Sequence, residues 1–141
     1  MDERTRLTAL AAEEASARAA RESAQQDRDA AMRQALASGV TKAAIVRASG
    51  LNRQYLDRVL AKGGADAPAD GDVLASVARA AEVVRAATKA EKTAIRARHV
   101  AVARALDAKA LSASEVATIC QISPSRVYQS RDTGRALLAE R

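Results

Sequence analysis

From Glu3 to Ala37 the chain contains neither glycine nor proline, and Ala, Arg, Glu and Gln dominate the run. These are strong helix formers with nothing between them to break a helix. The stretch therefore predicts one long helix. Its apolar face is thin. Leu7 and Leu10 begin it, Ala17, Ala24 and Ala31 continue from Leu10 at seven-residue spacing, and Met32 and Leu36 close it. Glu14, Arg21 and Arg28 fall where a second apolar row would lie, so the heptad is imperfect. Two outcomes stay open: a close-packed Ala seam, or a solvated helix that orders only on packing.

The core cannot rest on aromatic rings. Tyr55 and Tyr128 are the only aromatics among the 141 residues. Ala, Val, Leu and Ile must fill it, and thin Ala-rich helices bury little area each. Association between helices or between chains is expected to supply part of the stability. The long helices are the expected means, as coiled-coil or bundle packing within a homodimer or higher homo-oligomer.

Ser38 and Gly39 end the first helix, since Gly accepts the left-handed conformation. Residues 61–72, AKGGADAPADGD, hold Gly and Pro but no large apolar residue, and read as a linker. Asp70 or Asp72 then caps a further helix. Val73, Val77, Ala80, Val84 and Ala87 form its apolar stripe. Glu91 interrupts the stripe, and Ile95, His99, Val102 and Leu106 resume it one position out of step. Thr88 to Glu91 has the form of a capping box, so residues 72–109 make either one helix or two. The expected organisation is all-α: residues 1–62 as a long helix plus a short helical pair, 63–71 as a flexible linker, and 72–141 as a second long helix plus a second pair.

The two short pairs carry the functional signal. Residues 39–60, GVTKAAIVRASGLNRQYLDRVL, and residues 110–131, ALSASEVATICQISPSRVYQSR, fit one pattern 71 residues apart. In the first, Ile45, Val46, Leu51, Leu56 and Val59 are the packing positions. Gly50 suits a sharp turn, and Asn52 can cap the second helix. In the second, Val116, Ala117, Cys120, Ile122 and Val127 stand in for them. Ser112 with Glu115 makes a capping box, and Ser123 before Pro124 opens the next helix. Gln121 occupies the turn where Gly would be usual, and Ser130 stands where Val59 stood. Those departures predict a looser turn and a shorter second helix. The identities at this offset are mainly Ala on Ala, so duplication is not established.

ASGLNRQYLDRVL and ISPSRVYQSR resemble the turn and recognition helix of helix-turn-helix DNA-binding proteins of bacteria and phages, including small repressors and resolvase-type domains. The resemblance covers about 22 residues in each half and neither long helix. It implies recognition helices in the major groove. Carried over by position, the base-reading candidates are Asn52, Arg53, Gln54, Asp57 and Arg58 in the first pair. In the second they are Ser123, Ser125, Arg126, Tyr128 and Gln129. Arg suits guanine, and Asn or Gln suits adenine. Thr41, Lys42, Ser112 and Arg131 are placed for phosphate contacts.

The formal charge of +6 fits an anionic partner, and 18 of the 23 basic residues are Arg. Residues 38–62 hold five basic residues against one acid, net +4, whereas residues 110–135 reach only +1. The first pair is thus expected to dominate DNA affinity. Little supports other chemistry. One His and one Cys cannot build a metal cage or a disulfide. No phosphate loop, dinucleotide turn or nucleophile–base pair is visible, so neither enzyme activity nor a cofactor is expected. His99 reads as a packing histidine and Cys120 as structural. Tyr55 fits either packing or contact. No apolar signal core or membrane-length run is present, so a cytoplasmic, nucleoid-associated location is expected.

A sequence-specific regulator bound to double-stranded DNA is the leading expectation. An architectural, partition or packaging protein assembling along DNA is a second. A helical interaction scaffold is a third.

Overall fold

The computed structural model describes residues 2–63 and 71–141. Those residues form six helices and no strand: α1 (Glu3–Ala37), α2 (Lys42–Ser49), α3 (Arg53–Lys62), α4 (Val73–Asp107), α5 (Ala113–Cys120) and α6 (Pro124–Ala139). The fold is all-α. Of the linker expected at 63–71, residues 64–70 lie outside the described residues, and with them the cap expected at Asp70.

α1 and α4 each run unbroken for 35 residues. Thr88 and Glu91 therefore do not start a new helix. No Gly or Pro lies between Val73 and Asp107, so nothing there interrupts the backbone ladder. Asp72 opens α4, its Oδ1 accepting the Ala75 N–H at 3.0 Å. α1 ends as its Gly predicts. Gly39 sits at φ +91°, and the Gly39 and Val40 N–H groups bond to the Leu36 and Ala35 carbonyls.

The described chain gathers into two compact units that are not successive stretches of sequence. One consists of residues up to Arg18 together with Lys89–Arg141, the other of Ala19–Thr88. α1 and α4 each contribute one end to each unit.

In the unit holding α2 and α3, the core is Met32, Ala35, Ile45, Leu56 and Val77, with Val46, Leu51 and Val73 packed against it. Gly50 turns the chain at φ +73°, its N–H bonding to the Val46 carbonyl at 3.0 Å. The buried Ser49 hydroxyl braces the same turn, accepting the Leu51 N–H at 3.2 Å and donating to the Val46 carbonyl at 3.3 Å.

In the unit holding α5 and α6, the core is Leu7, Ala101, Val102, Ala105, Leu111, Val116 and Val127. Two expectations fail here. The turn is not loose: Gln121 itself adopts the left-handed conformation, φ +55° and ψ 46°, and its N–H bonds to the Ala117 carbonyl. Nor is the second helix short, since α6 runs 16 residues against 10 for α3. Ser130 is buried, but its hydroxyl shares a 2.7 Å hydrogen bond with His99 Nδ1. A buried polar group so satisfied need not end the helix. One turn on, Gly134 is also buried, and a Cβ there would overlap the His99 carbonyl and come within 2.9 Å of the Ala103 Cβ. α6 can lie this close to α4 only because position 134 has no side chain.

The charged interruptions in α1 are themselves buried. Glu14 is 7% exposed and Arg28 5%. Leu7, Glu14, Arg28 and Ala35 form one buried seven-residue row, with Arg21 half-buried in the gap. Each buried charge is paired. Glu14 meets Arg18 at 3.1 Å and contacts Arg98. Arg28 donates to Asp29 at 3.3 Å and to the Tyr55 hydroxyl at 2.5 Å, and lies over the Tyr55 ring at 4.9 Å. Tyr55 thus braces the packing.

Two predictions follow from the contacts of α6 with α4. Gly134→Ala adds helix propensity but forces a backbone shift, and a net loss of about 2 kcal/mol is expected in chemical denaturation. An unchanged midpoint would refute the close approach. The second concerns acid. Burial, then the adjacent Arg98 charge, holds the His99 pKa below its ordinary 6.5, with Glu14 opposing in part. The unfolded chain therefore takes up this proton first as pH falls, and binds more protons across that window. Stability should be level above about pH 6.5 and decline below it as pH falls through the folded-state value. His99→Gln keeps a partner for Ser130 and should flatten this decline, as thermal melts at stepped pH would show.

Candidate nucleic-acid interface

α3 presents two unlike faces. Leu56 and Val59 go into the core, while Asn52, Arg53, Gln54, Asp57 and Arg58 are all exposed. The helix begins on Asn52, whose Oδ1 accepts the Tyr55 N–H at 2.8 Å. α2 begins on exposed Thr41, whose Oγ1 accepts the Ala44 N–H at 3.2 Å. The two helix starts share one surface, because half-buried Lys42 reaches Asp57 at 3.2 Å and Arg53 lies 3.7 Å from the same carboxylate oxygen. Asp57 thus lies between two cations on this surface. Exposed pairs of this kind contribute little to stability and separate readily. Arg58 is steered by the Tyr55 ring, 5.8 Å away. Among the described residues no hydrogen bond holds the Gln54 side chain, and no acid pairs with Arg58.

The Asn52 carbonyl oxygen makes the cap with one of its two lone pairs.

The second pair is built alike but charged differently. Ser112 caps α5, accepting the Glu115 N–H at 3.1 Å, while its own N–H donates to Glu115 at 3.2 Å. That bond from the Ser112 N–H, then the Ser112 side chain and the Arg4 charge, holds the Glu115 carboxyl below the ordinary range. Ser112 thus has an ionised carboxylate beside it, whereas Thr41, among the described residues, has none as a hydrogen-bond partner. On α6, Ser123 caps the Arg126 N–H at 3.4 Å and lies 3.1 Å from the Ser125 hydroxyl. Tyr128 is 48% exposed, with the Arg131 guanidinium 5.1 Å from its ring centre. Arg131 also pairs with Asp132 at 3.1 Å. Arg126 and Gln129 are exposed, and among the described residues no acid pairs with Arg126.

Cys120 is half-buried rather than enclosed, and burial pushes its thiol pKa up, so it stays protonated at neutral pH. Near it lie Glu14, Arg18 and Arg98, of which Glu14 is one of the charges that interrupt the α1 heptad. The signal was present as charge at core spacing, but a single sequence cannot show which partner α4 supplies. The described residues contain no group of His, Cys, Asp and Glu able to hold a metal ion, and no helix long and apolar enough to cross a membrane.

No protein-family model, curated protein or solved structure matches this chain. Function has to be argued from its own residues.

The two turns supply a test of local strain. A side chain in the left-handed region costs about 1 kcal/mol that Gly does not pay. Gln121→Gly is expected to raise unfolding free energy by up to about 1 kcal/mol, since Gly relieves the strain but costs some backbone entropy. A fall would show that the Gln121 side chain contributes more than its backbone costs.

Proposed function

We propose that this protein binds double-stranded DNA sequence-specifically as a transcriptional regulator, reading the major groove chiefly with α3 and more weakly with α6. The observation that carries this is the outer face of α3. Arg53, Gln54 and Arg58 stand exposed on its first turns, beside Lys42 at the neighbouring helix start, while the inner face is fixed in the core. An α-helix fits the major groove, and Arg and Gln are the side chains whose donor patterns discriminate guanine and adenine there. Lys42 and the exposed Arg47 supply phosphate-neutralising charge beside it. Two such pairs in one chain, or pairs from two chains joined through the long helices, would read half-sites at fixed spacing.

Selection from a random DNA pool, followed by anisotropy titration at several salt concentrations, tests the reading. One enriched motif is expected. Gln54→Ala should relax preference at one base pair, worth about 1–3 kcal/mol of discrimination. Lys42→Ala should weaken all sequences alike and make the log–log salt slope shallower by about 1. Arg53→Glu with Arg58→Glu should abolish binding. Equal affinity for every sequence with a steep salt slope would instead indicate an architectural protein, and full retention of partners by the double variant a scaffold.

A further inference from the structure

A cleft of about 560 Å³ opens in the unit holding α5 and α6, lined by α1, α4 and the α5–α6 turn. That volume suits a small ligand. Its chemistry is set by three arginines and one acid. Glu14 sits in the wall, with one carboxylate oxygen 3.1 Å from Arg18 and the other in ion-pair contact with Arg98 Nε. The Arg98 contact is close but not aligned as a hydrogen bond, and Arg98 Nε has no hydrogen-bond partner. Arg98 is 12% exposed, and its Nη1 reaches the Ser130 hydroxyl at 3.5 Å. Arg126 lines the same cleft from α6, exposed and, among the described residues, unpaired by any acid. Three guanidiniums against one carboxylate leave two positive charges in excess. The protonated Cys120 thiol adds none of the opposite sign.

Gln121, the left-handed cap of α5, also lines this cleft.

We propose that this cleft binds a compact multivalent anion such as a phosphate monoester, pyrophosphate or dicarboxylate. Arg18 and Arg126 clasp it, and Arg98 donates from beneath. Planar guanidiniums suit this because each offers paired donors to two oxygens of one anionic group. Glu14 holds Arg18 and Arg98 in place without cancelling the charge of Arg126. The assignment does not rest on DNA binding.

The test is a titration of the full chain with pyrophosphate and with succinate, against sodium chloride at matched ionic strength, followed by backbone amide shifts. Saturable shifts at Ala11, Ala15, Ile119 and Cys120 are expected with at least one of the two and not with chloride. Arg126→Gln should weaken that binding about tenfold, the loss of one charge-assisted contact. Arg18→Gln should do the same, and Arg96→Gln, outside the cleft, should not. Unsaturable shifts, equal shifts with chloride, or undiminished binding by both cleft variants would overturn the assignment. So would a duplex lacking terminal phosphates that shifts Ala11 and Ala15 when pyrophosphate does not, since the cleft would then seat DNA backbone phosphate.

Discussion

Alanine lets helices come close but gives them little to hold on with, and both units are built under that constraint. Each buried Ala removes far less apolar surface from water than a Leu or Phe would. A seam of such residues also tolerates sliding, because one Ala looks much like the next. The buried charges of α1 work against this. A displacement of α1 along its axis would part Glu14 from Arg98 or Arg28 from Tyr55. Glu14 and Arg28 would keep Arg18 and Asp29 on α1, but Arg98 would lose its acid partner, and an uncompensated buried charge costs about 3–5 kcal/mol. Pairing therefore fixes the register that a bare Ala face leaves loose. Gly134 belongs to the same logic, trading side-chain area for a closer approach of backbone to backbone.

The legible parts of the fold were those governed by local chemistry. Asn52, Asp72, Ser112 and Ser123 all cap helices, because a short side-chain acceptor before a helical run satisfies the free N–H groups wherever it occurs. The length of α1 followed from the absence of breakers, whereas the box at Thr88–Glu91 left α4 open as one helix or two. The parts that were not legible depend on residues distant in sequence. Gln121 takes a conformation that propensity assigns to Gly because the closing contacts of Val116, Val127 and the cap outweigh its cost. Ser130 reads as a defect in an apolar position until His99 is placed opposite it. Glu14 and Arg28 read as breaks in a heptad until their partners on α4 and α3 are known.

The two helical pairs share a plan and differ in electrostatics. In the first, the acid on the outer face, Asp57, lies between two cations and orders them. In the second, acids stand beside the cap and the cation: Glu115 beside Ser112, and Asp132 on Arg131. The same scaffold can thus present a cationic surface or a nearly balanced one. That difference is consistent with unequal roles for the pairs in the proposed reading of DNA, and with the cationic cleft of the second unit serving a different anion.

The scarcity of aromatic residues has a practical side. Each unit contains a single tyrosine and the chain has no tryptophan. Tyr55 is half-buried, its phenol held by Arg28 and facing Asp29 at 3.4 Å, whereas the Tyr128 ring is open to water. The two phenols meet solvent to different degrees. Ultraviolet absorbance therefore carries an intrinsic reporter for each unit: a solvent perturbant should move the Tyr128 band more than the Tyr55 band in the native state, and the Tyr55 band further once its unit opens.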